Sequence, residues 1–72
     1  MTRYLALLAR GADVRSVAVV AAPWGRGGWR AVADGGGEGI HDTAALAAHL
    51  AACRACAQGE RIAAVIREGA TG

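Results

Sequence analysis

At 72 residues the chain is expected to form one small domain. With 54% apolar and only 19% charged residues it is too apolar to stay disordered. The net charge of +2, carried entirely by arginine on the basic side, is smaller than the clustered basic stripe of a dedicated nucleic-acid binder. The size also argues against a multidomain enzyme, or a deep cofactor cavity with its own supporting shell.

Residues 2–10, Thr-Arg-Tyr-Leu-Ala-Leu-Leu-Ala-Arg, have helix-favouring composition, but nine residues make a marginal helix. The turn signal Gly11-Ala12-Asp13 follows, and then a β-branched run able to pair back. The segment is therefore expected to be a strand. Residues 14–22 are almost continuously apolar and read as the central strand, with Pro23 expected to stop its ladder. The glycine-rich stretch after Trp24 reads as a tight connection, with Trp24 and Trp29 expected opposite each other on paired strands. Residues 29–34 then alternate, with Trp29, Ala31 and Ala33 on one face and Arg30, Val32 and Asp34 on the other.

Residues 35–39 read as a flexible glycine connector, and Asp42 or Thr43 as the N-cap of a helix over 43–58. Leu46, Leu50, Cys53 and Ala57 form its expected core stripe, and Gly59 its stop. Residues 61–67 read as the last strand, with Ile62, Ala64 and Ile66 facing one way, and 68–72 as a flexible tail. The expected fold is α+β: an antiparallel meander, one helix packed on one face, and a returning strand, in the order β-β-β-α-β.

That order leaves a face without cover. Val17, Val19 and Ala21 lie on one side of the central strand, and Ala18, Val20 and Ala22 on the other. Both sides are apolar, and one helix covers one of them. Large apolar patches on soluble proteins usually mark contact sites. The expected function is thus non-enzymatic protein binding through a sheet face and the Trp24–Trp29 hairpin. Trp24, Arg26, Trp29 and Arg30 are the contact residues, and the partner is either a second copy, forming a homodimer, or a larger target. Arg3, Arg10, Arg15, Arg61 and Arg67, and Arg30 if it makes no contact, are expected to be solvated at strand ends and edges.

Two rival chemistries are visible. Arg26 and Arg30 with the two Trp rings could stack on and neutralise a single-stranded nucleic acid. His49, Cys53 and Cys56 would share a helix stripe as an H-x3-C-x2-C set for a soft metal such as zinc, with His41 as a fourth candidate. The expectation is nonetheless that no metal or other cofactor is bound, because Cys53 falls on the core stripe and a buried cysteine packs as a small hydrophobe. The same Cys53–Cys56 pair lies at the helix C-terminal end, where the dipole opposes a redox-active thiolate. The glycine runs lack a phosphate-loop pattern, and the single serine, Ser16, has no base beside it in sequence. No catalytic residue is expected.

No run approaches the ~20 apolar residues of a membrane span, and neither apolar stretch fits a secretion signal. Two cysteines are too few and too close for a disulfide framework, so a cytoplasmic protein with reduced thiols is expected. In size, element order and lack of catalytic groups the chain resembles small antitoxin-like α+β domains. It also resembles the inhibitor proteins of phages and mobile elements, anti-CRISPR proteins among them. That resemblance implies target blocking and carries over no individual residue.

Overall fold

The alternation of apolar and polar side chains, with glycine at each reversal, produces a sheet and one helix in the computed structural model, which describes residues 1–69. The elements are β1 (Thr2–Arg10), β2 (Asp13–Trp24), β3 (Gly28–Ala33), β4 (Glu38–His41), α1 (Ala44–Ala55) and β5 (Arg61–Arg67). The strands form one antiparallel sheet in the order β4-β3-β2-β1-β5, so β2 is central. The fold is α+β, as the sequence implies, with one strand more than expected. Residues 2–10 are strand rather than helix.

The extra strand replaces the expected flexible connector. Glu38–His41 pairs with Trp29–Val32 along the outer side of β3. Its glycines seat the helix. A Cβ on Gly39 would lie 2.5 Å from the Ala47 carbonyl oxygen and 2.7 Å from the Ala51 nitrogen, and one on Gly37 would lie 2.7 Å from the Ala51 carbonyl oxygen. Only bare backbone lets α1 approach this closely.

That approach also corrects the helix face. The buried residues are Ala47, Ala48, Ala51 and Ala52, while Leu46 and Cys53 are exposed. Methyl groups fit a helix lying against backbone, and leucines do not, so the larger side chains are turned aside. Thr43 caps the N-terminus, its Oγ1 accepting from the Leu46 amide at 3.2 Å. The helix ends at Ala55, short of the expected 58, because the Ala57 amide donates to the Glu60 carboxylate at 2.7 Å. The Glu60 amide in turn donates to the Ala57 carbonyl at 3.0 Å. This reciprocal turn takes the chain out of the helix before Gly59.

Three strand details also differ. Pro23 does not end β2: it pairs with Trp29 inside the ladder. Ile62 turns away from Ala64 and Ile66, because the β1–β5 register skips Ala63 between the Leu8–Ile62 and Leu7–Ala64 pairs. That bulge sends Ile62, with Val65, to the helix side. Beyond β5, the Glu68 amide still donates to the Arg3 carbonyl at 2.9 Å, so the expected tail is tied at its start. Residues 70–72 of that tail lie outside the described residues.

The core between sheet and helix contains Tyr4, Ala6 and Leu8 of β1, Val17, Val19 and Ala21 of β2, and Ala31 and Ala33 of β3. The largest fully buried side chains are only Leu8 and Val19. A core this lean stabilises modestly, as expected for a chain of this size.

Candidate functional site: the open sheet face

Strand alternation sends every second side chain to the face opposite α1. On β1 these include Leu5 and Leu7, on β2 Ala18 and Val20, on β3 Val32, and on β5 Ile66. The register lines them up: Leu5 lies opposite both Ala18 and Ile66, and Val20 opposite Val32. Leu5, Leu7 and Val20 are half-buried by their neighbours, whereas Val32 is 44% exposed and Ile66 49%. Ile40 of β4 adds another exposed side chain to the same face, opposite Arg30. A shallow depression runs along Ala18, Val20 and Val32 to the glycine turn at Gly35 and Gly36. Nothing in the described chain covers this side.

The hairpin divides its two tryptophans between the faces. Trp24 pairs with Gly28 and Trp29 with Pro23, so the rings are not opposite each other, contrary to the sequence expectation. One residue of offset puts them on opposite sides of the sheet. Trp24 lies on the open face and is 51% exposed; Trp29 packs against the core on the helix side. Of the four expected contact residues, Trp24 and Arg30 share the open face, Arg26 is exposed at the hairpin tip, and Trp29 stands apart.

Arg30 links Trp24 to Glu38. Its guanidinium carbon lies 5.2 Å from the centroid of the Trp24 ring, and its terminal nitrogen donates to the Glu38 carboxylate at 2.8 Å. The hydrogen bond from Arg30 holds the Glu38 carboxyl below its usual range. Arg54 of the helix donates to the Glu38 backbone carbonyl at 2.8 Å, tying β4 to α1. Arg30 thus covers one approach to the Trp24 ring and has its charge matched within the chain. Both arrangements work against the ring-and-cation platform that single-stranded nucleic acid requires.

The candidate metal set does not assemble. His49 and Cys53 lie on the exposed side of α1, and Cys56 falls past its last turn with extended backbone, half-buried against the core. Burial pushes the Cys56 thiol above its ordinary range. His41 accepts the Asp42 amide on its own Nδ1 at 2.8 Å. Among the described residues no three His, Cys, Asp or Glu side chains are grouped to hold a metal ion. Ser16 lies on β2 opposite Leu7, while the two histidines sit on β4 and α1.

Three of the arginines expected to be solvated also hold partners, with Arg10 and Arg15 exposed as expected and Arg30 half-buried. Arg30 is paired as described, Arg10 donates to the Gln58 carbonyl at 2.7 Å, and Arg15 grips Glu60. The contributions of Ile40 and Glu38 to the open face escaped sequence reasoning, because four residues between glycines and a helix cap carry too short a pattern to mark a strand. No described helix is long and apolar enough to cross a membrane. The chain matches no protein-family model, no curated protein and no solved structure.

Proposed function

We propose that this protein is a non-enzymatic binding module, acting in the cytoplasm, that works by laying its open sheet face against another protein surface. The observation that carries the reading is the aligned apolar patch of Leu5, Ala18, Val20, Val32 and Ile66 on the side opposite the helix. A patch of this kind, edged by Trp24 and Arg30, has the composition of an interface: an apolar centre, a large aromatic, and arginine at the margin. Arg26, exposed at the hairpin tip, favours an acidic group on the partner. The mode of action suited to so small a scaffold is occlusion, either by self-association or by blocking a larger target, as inhibitor proteins of mobile elements do. The two free thiols suit a reducing compartment.

The test is site-specific photocrosslinking in the cells that express the protein. A benzophenone side chain at position 32 should capture a protein, whereas one at position 45, on the exposed side of α1, should not. Capture from position 32 should weaken in the Trp24→Ala and Arg26→Ala variants. Equal capture from both positions, or none from 32, overturns the reading.

A further inference from the structure

We infer that the occupant of the open face is a second copy of this chain, packed face to face as a two-layer sheet sandwich between two outer helices. This rests on the reading of that face as the docking surface.

Three observations converge on self-docking. The first is area. The five strands, from four to twelve residues long and ~4.8 Å apart, outline roughly 600 Å² of face, the same scale as the ~800 Å² per partner of a standard stable interface. The second is charge. A face that meets its own copy cannot carry a field of one sign. Here Arg30 is neutralised by Glu38 at 2.8 Å within the chain. The register puts Arg3 in the same cross-strand row as Val20, Val32 and Glu38, so both signs occur on one face. Arg30 and Glu38 sit toward the β4 margin, leaving Leu5, Ala18 and Val20 at the centre. Small side chains such as Ala18 and Ala64 keep that centre flat enough for sheets packed ~10 Å apart.

The third observation concerns the competing geometry. The outer edge of β5 is the longer of the two sheet edges, and pairing through it is the usual alternative route to a dimer. Two-fold antiparallel pairing centred on Ala64 would set Ile62 opposite Ile66 of the second copy, yet the bulge at Ala63 turns Ile62 to the helix side and leaves Ile66 on the open face. Residues paired directly across a ladder share a face, so the bulge opposes that register. Face-to-face packing would also supply a second apolar layer to a chain whose own core contains just two large, fully buried side chains.

Sedimentation velocity across a micromolar-to-millimolar series tests this. The native chain should run as a dimer, and Val32→Glu should weaken dimerisation by roughly 100-fold or more, because each copy would bury an unpaired charge. Its helix signal by circular dichroism should be unchanged, since Val32 faces away from α1. Ile66→Glu, also on the face, gives the same readout if Val32→Glu disturbs folding. Ala63→Glu, at the β5 edge, should leave the dimer intact. A native chain that stays monomeric throughout overturns the homodimer, and crosslinking from position 32 then decides separately whether the face docks on anything. A dimer that survives both face variants and is lost in Ala63→Glu overturns the face-to-face arrangement in favour of edge pairing.

Discussion

Arg15 holds Glu60 with both sides of its guanidinium, Nε to Oε2 at 2.7 Å and a terminal nitrogen to Oε1 at 2.8 Å. The same terminal nitrogen reaches the Ala55 carbonyl at 3.2 Å, at the last residue of α1. The pair therefore fastens the helix C-terminus to the middle of the sheet, and it connects segments 45 residues apart in the chain. Bidentate geometry of this kind makes an ion pair more than a surface accident.

The Arg15 hydrogen bond, helped by the Ala57 amide, lowers the Glu60 carboxyl from its ordinary 4.5 to about 2. A carboxyl with a depressed folded-state pKa contributes its full stability above the unfolded value, and that contribution is lost as pH falls. The native protein should hold its thermal midpoint down to about pH 4.5 and lose it steadily between 4.5 and about 2. Glu60→Gln should start from a lower midpoint at neutral pH and show a flatter profile across that window. Thermal melts at a series of pH values check this, and parallel curves for the two proteins would contradict it.

Gly39 carries a prediction about packing. A methyl group there would sit 2.7 Å from both the Ala51 nitrogen and the Leu50 Cβ. The first of these atoms is helix backbone and cannot swing aside. Gly39→Ala should therefore cost about 1–3 kcal/mol, the usual penalty for overpacking, even though alanine is the better residue by propensity. Urea unfolding measures it. A loss below about 0.5 kcal/mol would mean that α1 rides higher over β4.

The way these glycines act explains how much of the fold was legible. The apolar, β-branched runs of β2 and β5 announced themselves, as did the alternation of Trp29, Ala31 and Ala33, while β1 was legible only from the turn and strand that follow it. Gly35–Gly39 has the composition of a linker, and its role in seating the helix depends on a contact with residues some ten positions away. The helix stripe misled for a related reason. Alanine is a weak signal of burial, so Leu46, Leu50 and Cys53 drew the face toward themselves, while Ala47, Ala48, Ala51 and Ala52 took the core. The open face was legible from the counting of layers. The splitting of the hairpin tryptophans was not, because it turns on the length of the reversal: the three residues 25–27 pair Trp24 with Gly28 and so shift the register by one residue.

The cysteines should differ in reactivity. Cys53 is exposed on α1, whereas Cys56 packs against the core and burial raises its thiol pKa. The thiolate is the reacting species, so at mildly alkaline pH iodoacetamide should label Cys53 first. Peptide mapping by mass spectrometry over time reports the order. Faster labelling of Cys56 would place it outside the core.

The two tryptophans should separate stability from binding. Trp29 packs against the core on the helix side, so Trp29→Ala should cost roughly 2 kcal/mol, less than the full penalty for a wholly buried ring. Trp24 is half exposed and gives up one contact with Arg30, so Trp24→Ala should cost less than about 1 kcal/mol. Each variant leaves a single tryptophan as its own fluorescent reporter. Under conditions where the chain is monomeric, acrylamide should quench Trp24 in the Trp29→Ala protein more strongly than Trp29 in the Trp24→Ala protein. When the open face is occupied, quenching of Trp24 should fall while that of Trp29 stays constant. If Trp29 instead becomes the protected ring, the contact lies on the helix side, and the assignment of faces is wrong.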